Sequence, residues 1–273
     1  MSRPGWGLVA AILSLLALAH EGADAFGLVS SSQRPCRWTS GYSNSKFTGT
    51  TSKMRGASGK QGLSCIAETR LPIGMIKSLD RSKISTDTDS EFYSSPRLVT
   101  HADDGWIMQL TALYRRLIPP GAVVLDLMSS HVSHLDDVAY SRVDAHGMNE
   151  AELRQNPAVQ ATGGNVFVHD LNREPSLPFV EEPGCYDAVL CSLGVQYLEQ
   201  PERVFADVGR VLKEDGVVIV SFSSNFFYEK ALSGWIDRGM KGRSRLVKDY
   251  LRAAGSQVRS PNSTGTTISN LRY

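Results

Sequence analysis

The chain has 273 residues and a formal net charge of +1, which is enough length for one α/β domain with extensions and too little for two large domains. The charge is unevenly distributed, because residues 86–273 carry 18 Lys and Arg against 24 Asp and Glu, whereas residues 26–85 carry ten basic residues and two acidic ones. An acidic domain is a poor partner for a phosphate backbone, so the composition argues against a nucleic-acid substrate.

The N-terminal third has the composition of a two-part targeting sequence. Residues 8–19 form an apolar run that ends a few residues before the small-residue stretch closing at Ala25. This run is shorter than the ~20 residues that span a bilayer, so residues 1–25 are predicted to be a signal peptide, with no stable membrane insertion after processing. Residues 26–85 begin with Phe26 and are rich in Ser, Thr, Gly and basic residues, which is typical of a disordered transit peptide.

This arrangement resembles the bipartite presequence of algae with secondary plastids, in which Phe opens the transit peptide. The resemblance implies a plastid (chloroplast) location, and the alternative is a secreted protein with a disordered N-terminal stretch. The four cysteines, Cys36, Cys65, Cys185 and Cys191, show neither Cys-x-x-Cys nor Cys/His ligand spacing. Neither a zinc site nor a disulfide framework is therefore predicted, which favours the plastid over secretion.

The mature part is predicted to form a domain over residues 86–255, followed by a polar tail at 256–273. Short continuous apolar runs alternate there with amphipathic segments of helical period. The predicted strands are 122–128, 137–144, 165–170, 186–192 and 216–222, and the predicted helices are 106–117, 149–155 and 201–212.

This alternation predicts a Rossmann-like, doubly wound and mostly parallel sheet with helices on both faces. Ligands of such folds bind beyond the carboxyl ends of the strands, near the point where the strand order reverses. The tail at 256–273 is too polar to supply a closing antiparallel hairpin, so the fold is either abbreviated there or its end is altered or disordered.

Three acids fall at the carboxyl ends of successive predicted strands: Asp126, Asp144 and Asp170. Asp144 follows the first strand at the spacing of an acid that accepts ribose hydroxyls in a dinucleotide-type fold. Asp126 is a candidate for the amino group of a methionyl moiety, and Asp170 for an adenine amino group. Each has a structural alternative, since Asp126 could cap a helix and Asp170 could simply begin a turn.

Several passages resemble a group of methyltransferase-like proteins from cyanobacteria, algae and plants, which is similar to the type 11 branch of class I methyltransferases. The passages begin at Phe92 (FYSSPRLVTHADDGW), Val124 (VLDLMSSHVSHL), His146 (HGMN), Gln196 (QYL) and Gly216 (GVVIVSFS). The likeness covers about residues 90–255. It implies the class I fold, S-adenosylmethionine as cofactor, and methyl transfer as the activity.

Cofactor contacts are also predicted for Ser129, Ser130, Leu171 and Cys191, beside the three acids. Class I enzymes usually follow the acid of the first strand with a glycine-rich turn, where the missing Cβ lets the backbone approach the cofactor. Here the turn from Asp126 is Leu-Met-Ser-Ser-His and holds no glycine. Two outcomes are compatible with it: either the small serines substitute for glycine, or the pocket is blocked.

The candidate catalytic residues are His101, His131 and His134, since methyl transfer needs a base only when the acceptor must lose a proton. His131 and His134 lie three apart just past the first strand, but no third metal ligand accompanies them, so no metal is predicted. The stretch from Cys191 to Tyr197 lacks the Asn-Pro-Pro-Tyr type signature of nucleic-acid amino methyltransferases. A small-molecule acceptor is therefore expected.

Two alternatives remain open. A non-catalytic methyltransferase-like binding or scaffold protein is compatible with the glycine-free turn and the polar tail. A nicotinamide-dependent Rossmann enzyme is the second alternative, although the chain has no Gly-x-Gly-x-x-Gly motif.

Overall fold

The computed structural model describes residues 9–14 and 78–255, and its centre is a six-stranded sheet. The strand order is β1-β6-β5-β2-β3-β4, and every strand pair among the described residues is parallel. The strands are β1 Val9–Ser14, β2 Val123–Leu127, β3 Arg142–Gly147, β4 Val166–Val168, β5 Tyr186–Ser192 and β6 Leu212–Phe222. From β2, the chain first adds β3 and β4 on one side of this strand and then β5 and β6 on the other side. The strand order therefore reverses between β2 and β5.

Helices cover both faces of this sheet, and the predicted Rossmann-like fold is confirmed. The helices are α1 Asp89–Phe92, α2 Asp104–Leu117, α3 Glu150–Arg154, α4 Pro157–Thr162, α5 Pro201–Val211, α6 Ser233–Ile236 and α7 Met240–Ala253. One core cluster packs the apolar face of α5 and α7 against β5 and β6, and a second packs α2 against β2 and β3. Burial on both faces explains why β5 and β6 contain continuous apolar runs, at residues 188–191 and 217–220.

The second predicted strand is displaced in the structure. It was expected over 137–144, but β3 covers Arg142–Gly147. The side chain of Asp136 explains the difference, since its carboxylate accepts from Arg115 Nε at 2.6 Å and from Tyr140 Oη at 3.0 Å. These contacts hold residues 136–140 in a loop before β3. The strand therefore begins later in the sequence than the apolar pattern predicts.

The domain also begins before the predicted boundary at residue 86. Lys83 Nζ lies 2.9 Å from Asp89 Oδ2, and the backbone N–H of Ser85 donates to the carbonyl of Glu229 at 2.9 Å. The N–H of Ser233 donates to the Ser82 carbonyl at 2.8 Å. These contacts make residues 80–85 part of the domain rather than of the predicted disordered leader.

The predicted signal peptide overlaps a strand. Strand β1 lies within residues 1–25 and pairs with β6, so that Val9 stands opposite Val217 and Ser14 opposite Phe222. The remainder of the predicted leader up to residue 77 and the tail at 256–273 lie outside the described residues. No helix in the described part of the chain is long and apolar enough to cross a membrane.

Candidate functional site

A cavity of about 310 Å³ opens at the carboxyl ends of β2, β3 and β5, where the strand order reverses. This volume lies in the range of small-molecule sites. Its floor is formed by the turns after these strands. Its walls are residues 89–101 and the segment 225–227 after β6. The position is the one that the fold class predicts for a ligand.

Asp126, the fourth residue of β2, points into this cavity and is only 3% exposed. Ser129 Oγ donates to its Oδ2 at 2.6 Å, and Ser133 also hydrogen-bonds to the carboxylate. Loss of water around the carboxylate outweighs these bonds and raises its pKa to about 6. A carboxyl group kept partly desolvated at a strand end is ready to receive a cationic ligand group.

The glycine-free turn after β2 is open because the close contacts are made by glycines at the end of β3 and just after β5. Met128 has a positive φ of 58°, a region that usually favours glycine. A Cβ at Gly147 would lie 2.6 Å from the carbonyl oxygen of Ser129, and one at Gly194 would lie 2.8 Å from Met128 Cβ. Gly147 and Gly194 therefore let the turns after β2, β3 and β5 pack closely, and the cavity remains open.

Glu152 on α3 is a pocket residue that the sequence analysis missed. Its Oε2 accepts from Ser130 Oγ at 2.6 Å and its Oε1 accepts from the backbone N–H of Arg97, also at 2.6 Å. The side chain is 9% exposed and lines the cavity. The signal was present, because Asn149 caps α3 and the acid three residues later faces back toward the strand end.

Asp144 was predicted to hold ribose hydroxyls, and the structure contradicts that role. It lies in the middle of β3, is fully buried and does not line the cavity. Its oxygens accept from Tyr186 Oη at 2.7 Å, Asn165 N at 2.8 Å and Arg142 Nε at 3.0 Å. The error follows from the displaced strand, since β3 continues three residues beyond Asp144.

The other predicted cofactor residues divide into two groups. Ser129, Ser130, Asp170 and Leu171 line the cavity, as expected. Asp170 also begins a turn, because its Oδ1 accepts from the N–H of Asn172 at 2.9 Å.

Cys191 does not line the cavity and belongs to the core between β5 and the helices. Its side chain is fully buried, and this burial, together with nearby Asp126, raises the pKa of its thiol to about 12. The structure therefore places the Cys191 side chain in the core and not at the cavity, where a cofactor contact was predicted.

All three predicted catalytic histidines line the cavity. Desolvation lowers the pKa values of His101 and His134, so both imidazoles are neutral at pH 7 and able to accept a proton. Within the described residues no group of three His, Cys, Asp or Glu could hold a metal ion.

A fourth histidine, His146, also lines the cavity. Its Nδ1 accepts from the Met128 N–H at 3.2 Å and its Nε2 donates to the His169 carbonyl at 2.9 Å. Burial lowers the pKa of His146 to about 4. This neutral imidazole ties the turn after β2 to the end of β4, so it holds the cavity floor in place.

A family model described as "Methyltransferase domain" matches residues 129–220, about a third of the chain and most of the cavity floor. Residues 129–220 are thus similar to a methyltransferase domain. This similarity agrees with the S-adenosylmethionine cofactor that the resemblance in the sequence implied. The comparison with curated proteins gave no match.

Solved structures also match part of this chain. One is an S-adenosylmethionine-dependent methyltransferase from Mesorhizobium loti, with 24% identity and a TM-score of 0.30 over 37% of this chain and 47% of that one. A TehB-like methyltransferase from Corynebacterium glutamicum has 19% identity and a TM-score of 0.37 over 53% and 68%. The geranyl diphosphate C-methyltransferase of Streptomyces coelicolor has 16% identity and a TM-score of 0.35 over 43% and 46%.

The chain thus spans about half the length of the first of these structures. Sequence identities and TM-scores as low as these say nothing about the substrate of the present chain.

The residues of the cavity fit the cofactor. A sulfonium ion that also carries an amino group presents positive charge and N–H donors, and the buried carboxylate of Asp126 is a suitable acceptor. Gln196 is 1% exposed, lines the cavity, and its Oε1 has no hydrogen-bond partner among the described residues. Such a buried oxygen is costly unless a ligand donates to it.

Proposed function

We propose that this protein transfers the methyl group of S-adenosylmethionine to a small-molecule acceptor. The observation that carries the proposal is the buried Asp126 carboxylate in a cavity at the reversal point of a methyltransferase domain. S-adenosylmethionine supplies, when bound, a methyl group on a positively charged sulfur that a nucleophile can displace. The cavity volume suits a small acceptor better than a macromolecule, and the net negative charge of residues 86–273 disfavours binding of a phosphate backbone.

Each acid of the cavity has a proposed role. Asp126 accepts from the amino group of the methionyl end, and Ser129 keeps its carboxylate oriented. Glu152 replaces Asp144 as the acceptor for the ribose hydroxyls, because it lies on α3 directly after β3 and lines the cavity. Asp170 serves the adenine amino group through Oδ2, since Oδ1 is engaged by the backbone of its own turn.

The histidines supply the base where the acceptor must lose a proton. His134 is neutral and lies edge-on to Trp106, with ring centroids 6.2 Å apart, so it has a fixed orientation at the cavity. His131 also lines the cavity, and its Nδ1 is 3.3 Å from the hydroxyl oxygen of Ser130. We assign the base to this pair, with His101, which also lines the cavity, as the second candidate.

The proposed location is the plastid, in keeping with the algal and plant group that the motifs resemble. The composition of residues 1–85 supports it, with an apolar run followed by a basic segment that opens on Phe26. Expressing residues 1–85 fused to a fluorescent protein in an alga with secondary plastids tests this directly. Plastid fluorescence is expected, and release of the fusion into the medium would contradict it.

The cofactor proposal is tested by calorimetric titration of S-adenosylhomocysteine, S-adenosylmethionine and NAD into the purified full chain. Micromolar binding of the first two, and none of NAD, is expected. Asp126→Asn should abolish binding, whereas Asp104→Asn, at an exposed acid outside the cavity, should leave it unchanged. A folded wild-type chain that gives no heat with either sulfur compound would contradict the proposal and favour a scaffold protein.

A further inference from the structure

Arg97 is a cavity residue for which the proposed cofactor site provides no role. It lines the cavity on the segment between α1 and α2, and its Nη1 is buried without a hydrogen-bond partner among the described residues. Its Nη2 donates to the Phe92 carbonyl at 3.1 Å, which leaves the Nη1 donors unused. Arg keeps its charge at any relevant pH, so this group is a permanent cation with free donors.

Aromatic rings hold this guanidinium in place. Its Cζ lies 4.2 Å from the ring centroid of Phe92 and 5.1 Å from that of Phe227, and these two rings meet edge to face. Tyr197 Oη accepts from the N–H of Phe227, which fixes the second ring. An arginine stacked in this way is preorganised, so little entropy is lost when it binds a ligand.

The acids of the cavity do not neutralise Arg97. Asp89 is engaged by two lysines, with Lys230 Nζ 2.9 Å from Oδ1 and Lys83 Nζ 2.9 Å from Oδ2. Glu152 accepts from the backbone N–H of Arg97 rather than from its guanidinium. No ion pair to Arg97 occurs in the described part of the chain, so its charge is available to a ligand.

From this geometry we infer that the methyl acceptor is an anion, whose carboxylate or phosphate group binds Arg97 and whose apolar body lies against Phe226, Phe227 and Val99. Arginine matches both groups because its planar fork can donate two parallel hydrogen bonds to them. The three apolar side chains line the same cavity and give the body of the acceptor an apolar contact surface. The inference rests on the proposed function, since it names the substrate class of the same cavity.

The test uses benzoate, phenyl phosphate and neutral benzyl alcohol as probes of the full chain, with saturation-transfer NMR as the readout. Each is measured with and without saturating S-adenosylhomocysteine. Benzoate or phenyl phosphate should bind to the wild type, and Arg97→Gln should weaken that binding by about tenfold, the loss of one charge-assisted contact. Arg97→Lys should restore part of it, and the exposed control Arg173→Gln should leave it unchanged.

The second arm separates the acceptor from the cofactor's own carboxylate. Arg97→Gln should bind S-adenosylhomocysteine as the wild type does. If that variant instead loses affinity for S-adenosylhomocysteine but not for methylthioadenosine, which lacks the amino acid part, Arg97 holds the cofactor and the inference is overturned. Equal binding of benzyl alcohol and benzoate would overturn it as well.

Failure of the proposed function is recognised separately, because the anion probes are also titrated in the absence of S-adenosylhomocysteine. If the chain binds benzoate through Arg97 but does not bind S-adenosylhomocysteine, the anion site is supported and the proposed cofactor is contradicted. Far-UV circular dichroism of each variant confirms that it is folded.

Discussion

Asp126 and Asp144 are both buried acids on neighbouring central strands, but their surroundings differ. Asp144, in the middle of β3, accepts hydrogen bonds from a tyrosine, an arginine, a backbone N–H and an asparagine amide. Asp126, near the end of β2, is held by two serine hydroxyls and faces a cavity. A buried acid whose acceptor sites are filled stabilises the fold, whereas one with a deficit of donors is suited to a ligand.

The backbone conformation around Asp126 and around Asp144 differs in the same way. The three non-glycine residues with positive φ in the described chain, Met128, His134 and Leu193, all line the cavity. Unfavourable backbone conformations of this kind are concentrated at functional sites, because only the surrounding structure maintains them. In β3, Asp144 pairs regularly with Leu125 of β2, and the next residue, Ala145, pairs with Val166 of β4. The following substitutions test the contrast, from the largest expected effect to the smallest.

Replacing the acid of β3 should give the largest loss of stability. Asp144→Ala leaves Tyr186 Oη and the Arg142 guanidinium without their buried acceptor. We expect the free energy of unfolding to fall by about 3–5 kcal/mol, the cost of breaking a buried ion pair from one side. Urea unfolding followed by circular dichroism measures this. The exposed Asp215→Ala is the control, with an expected change within about 0.5 kcal/mol. Equal losses for both variants would contradict the structural role of Asp144.

The acid of β2 should behave in the opposite way. Its pKa is about 6 in the folded chain and near 3.9 when unfolded, so the folded state binds a proton more readily between these values. The contribution of Asp126 to stability therefore falls as the pH rises from about 4 to about 6. Asp126→Asn removes this cost, and we expect it to stabilise the chain by about 2–3 kcal/mol at pH 7.5 and by nothing below pH 4.

Thermal unfolding of Asp126→Asn and the wild type across pH 3.5–8 measures this difference. Asn is the conservative choice, because its oxygen can still accept from Ser129 Oγ. A variant that is less stable than the wild type at pH 7.5 would show that Asp126 is structural.

Close packing at the cavity floor is tested at Gly147. Gly147→Ala places a Cβ 2.6 Å from the Ser129 carbonyl oxygen, and backbone must move to accommodate it. We expect a loss of about 1–3 kcal/mol of stability, together with weaker S-adenosylhomocysteine binding. The control Gly209→Ala has nothing within 4 Å of the new Cβ and lies inside α5, so it should stabilise the chain by about 0.5–1 kcal/mol. A Gly147→Ala variant that is as stable as the Gly209→Ala control would contradict the close packing at Gly147.

The smallest expected effect concerns Cys191, which adjoins the cavity floor but belongs to the core. Its buried thiol has a pKa of about 12, so iodoacetamide should not alkylate it in the native chain at pH 8. Mass spectrometry of the peptide that contains Cys191, with the urea-unfolded chain as control, measures this. Native labelling at the unfolded rate would show that the thiol faces the cavity after all.

Much of this fold could be predicted from the sequence. Strand β5, Tyr186–Ser192, has the predicted bounds, because its centre, residues 188–191, is a continuous apolar run of the kind that a doubly covered parallel sheet requires. Helix α5 was likewise predicted to within a residue from its apolar face. Both elements are determined by local pattern, which is what sequence reasoning detects.

The errors concern contacts between distant residues. The role of Asp144 depends on Tyr186, 42 residues away, and no local pattern indicates that pairing. The same holds for the glycine-free turn, where Gly147 at the end of β3 and Gly194 just after β5 provide the space that was sought within residues 126–131. Glu152 was missed because an acid in the first turn of a helix is common for electrostatic reasons alone.

The most direct test of the central claim is the unfolding free energy of the wild type, Asp126→Asn and Asp144→Asn at pH 7.5, with and without S-adenosylhomocysteine at 100 times its dissociation constant. The wild type and Asp144→Asn should each gain about 2.7 kcal/mol from the ligand, whatever their starting stability. Asp126→Asn should start more stable than the wild type and gain nothing. An equal gain in Asp126→Asn would contradict the claim that this carboxylate is the anchor of the cofactor site.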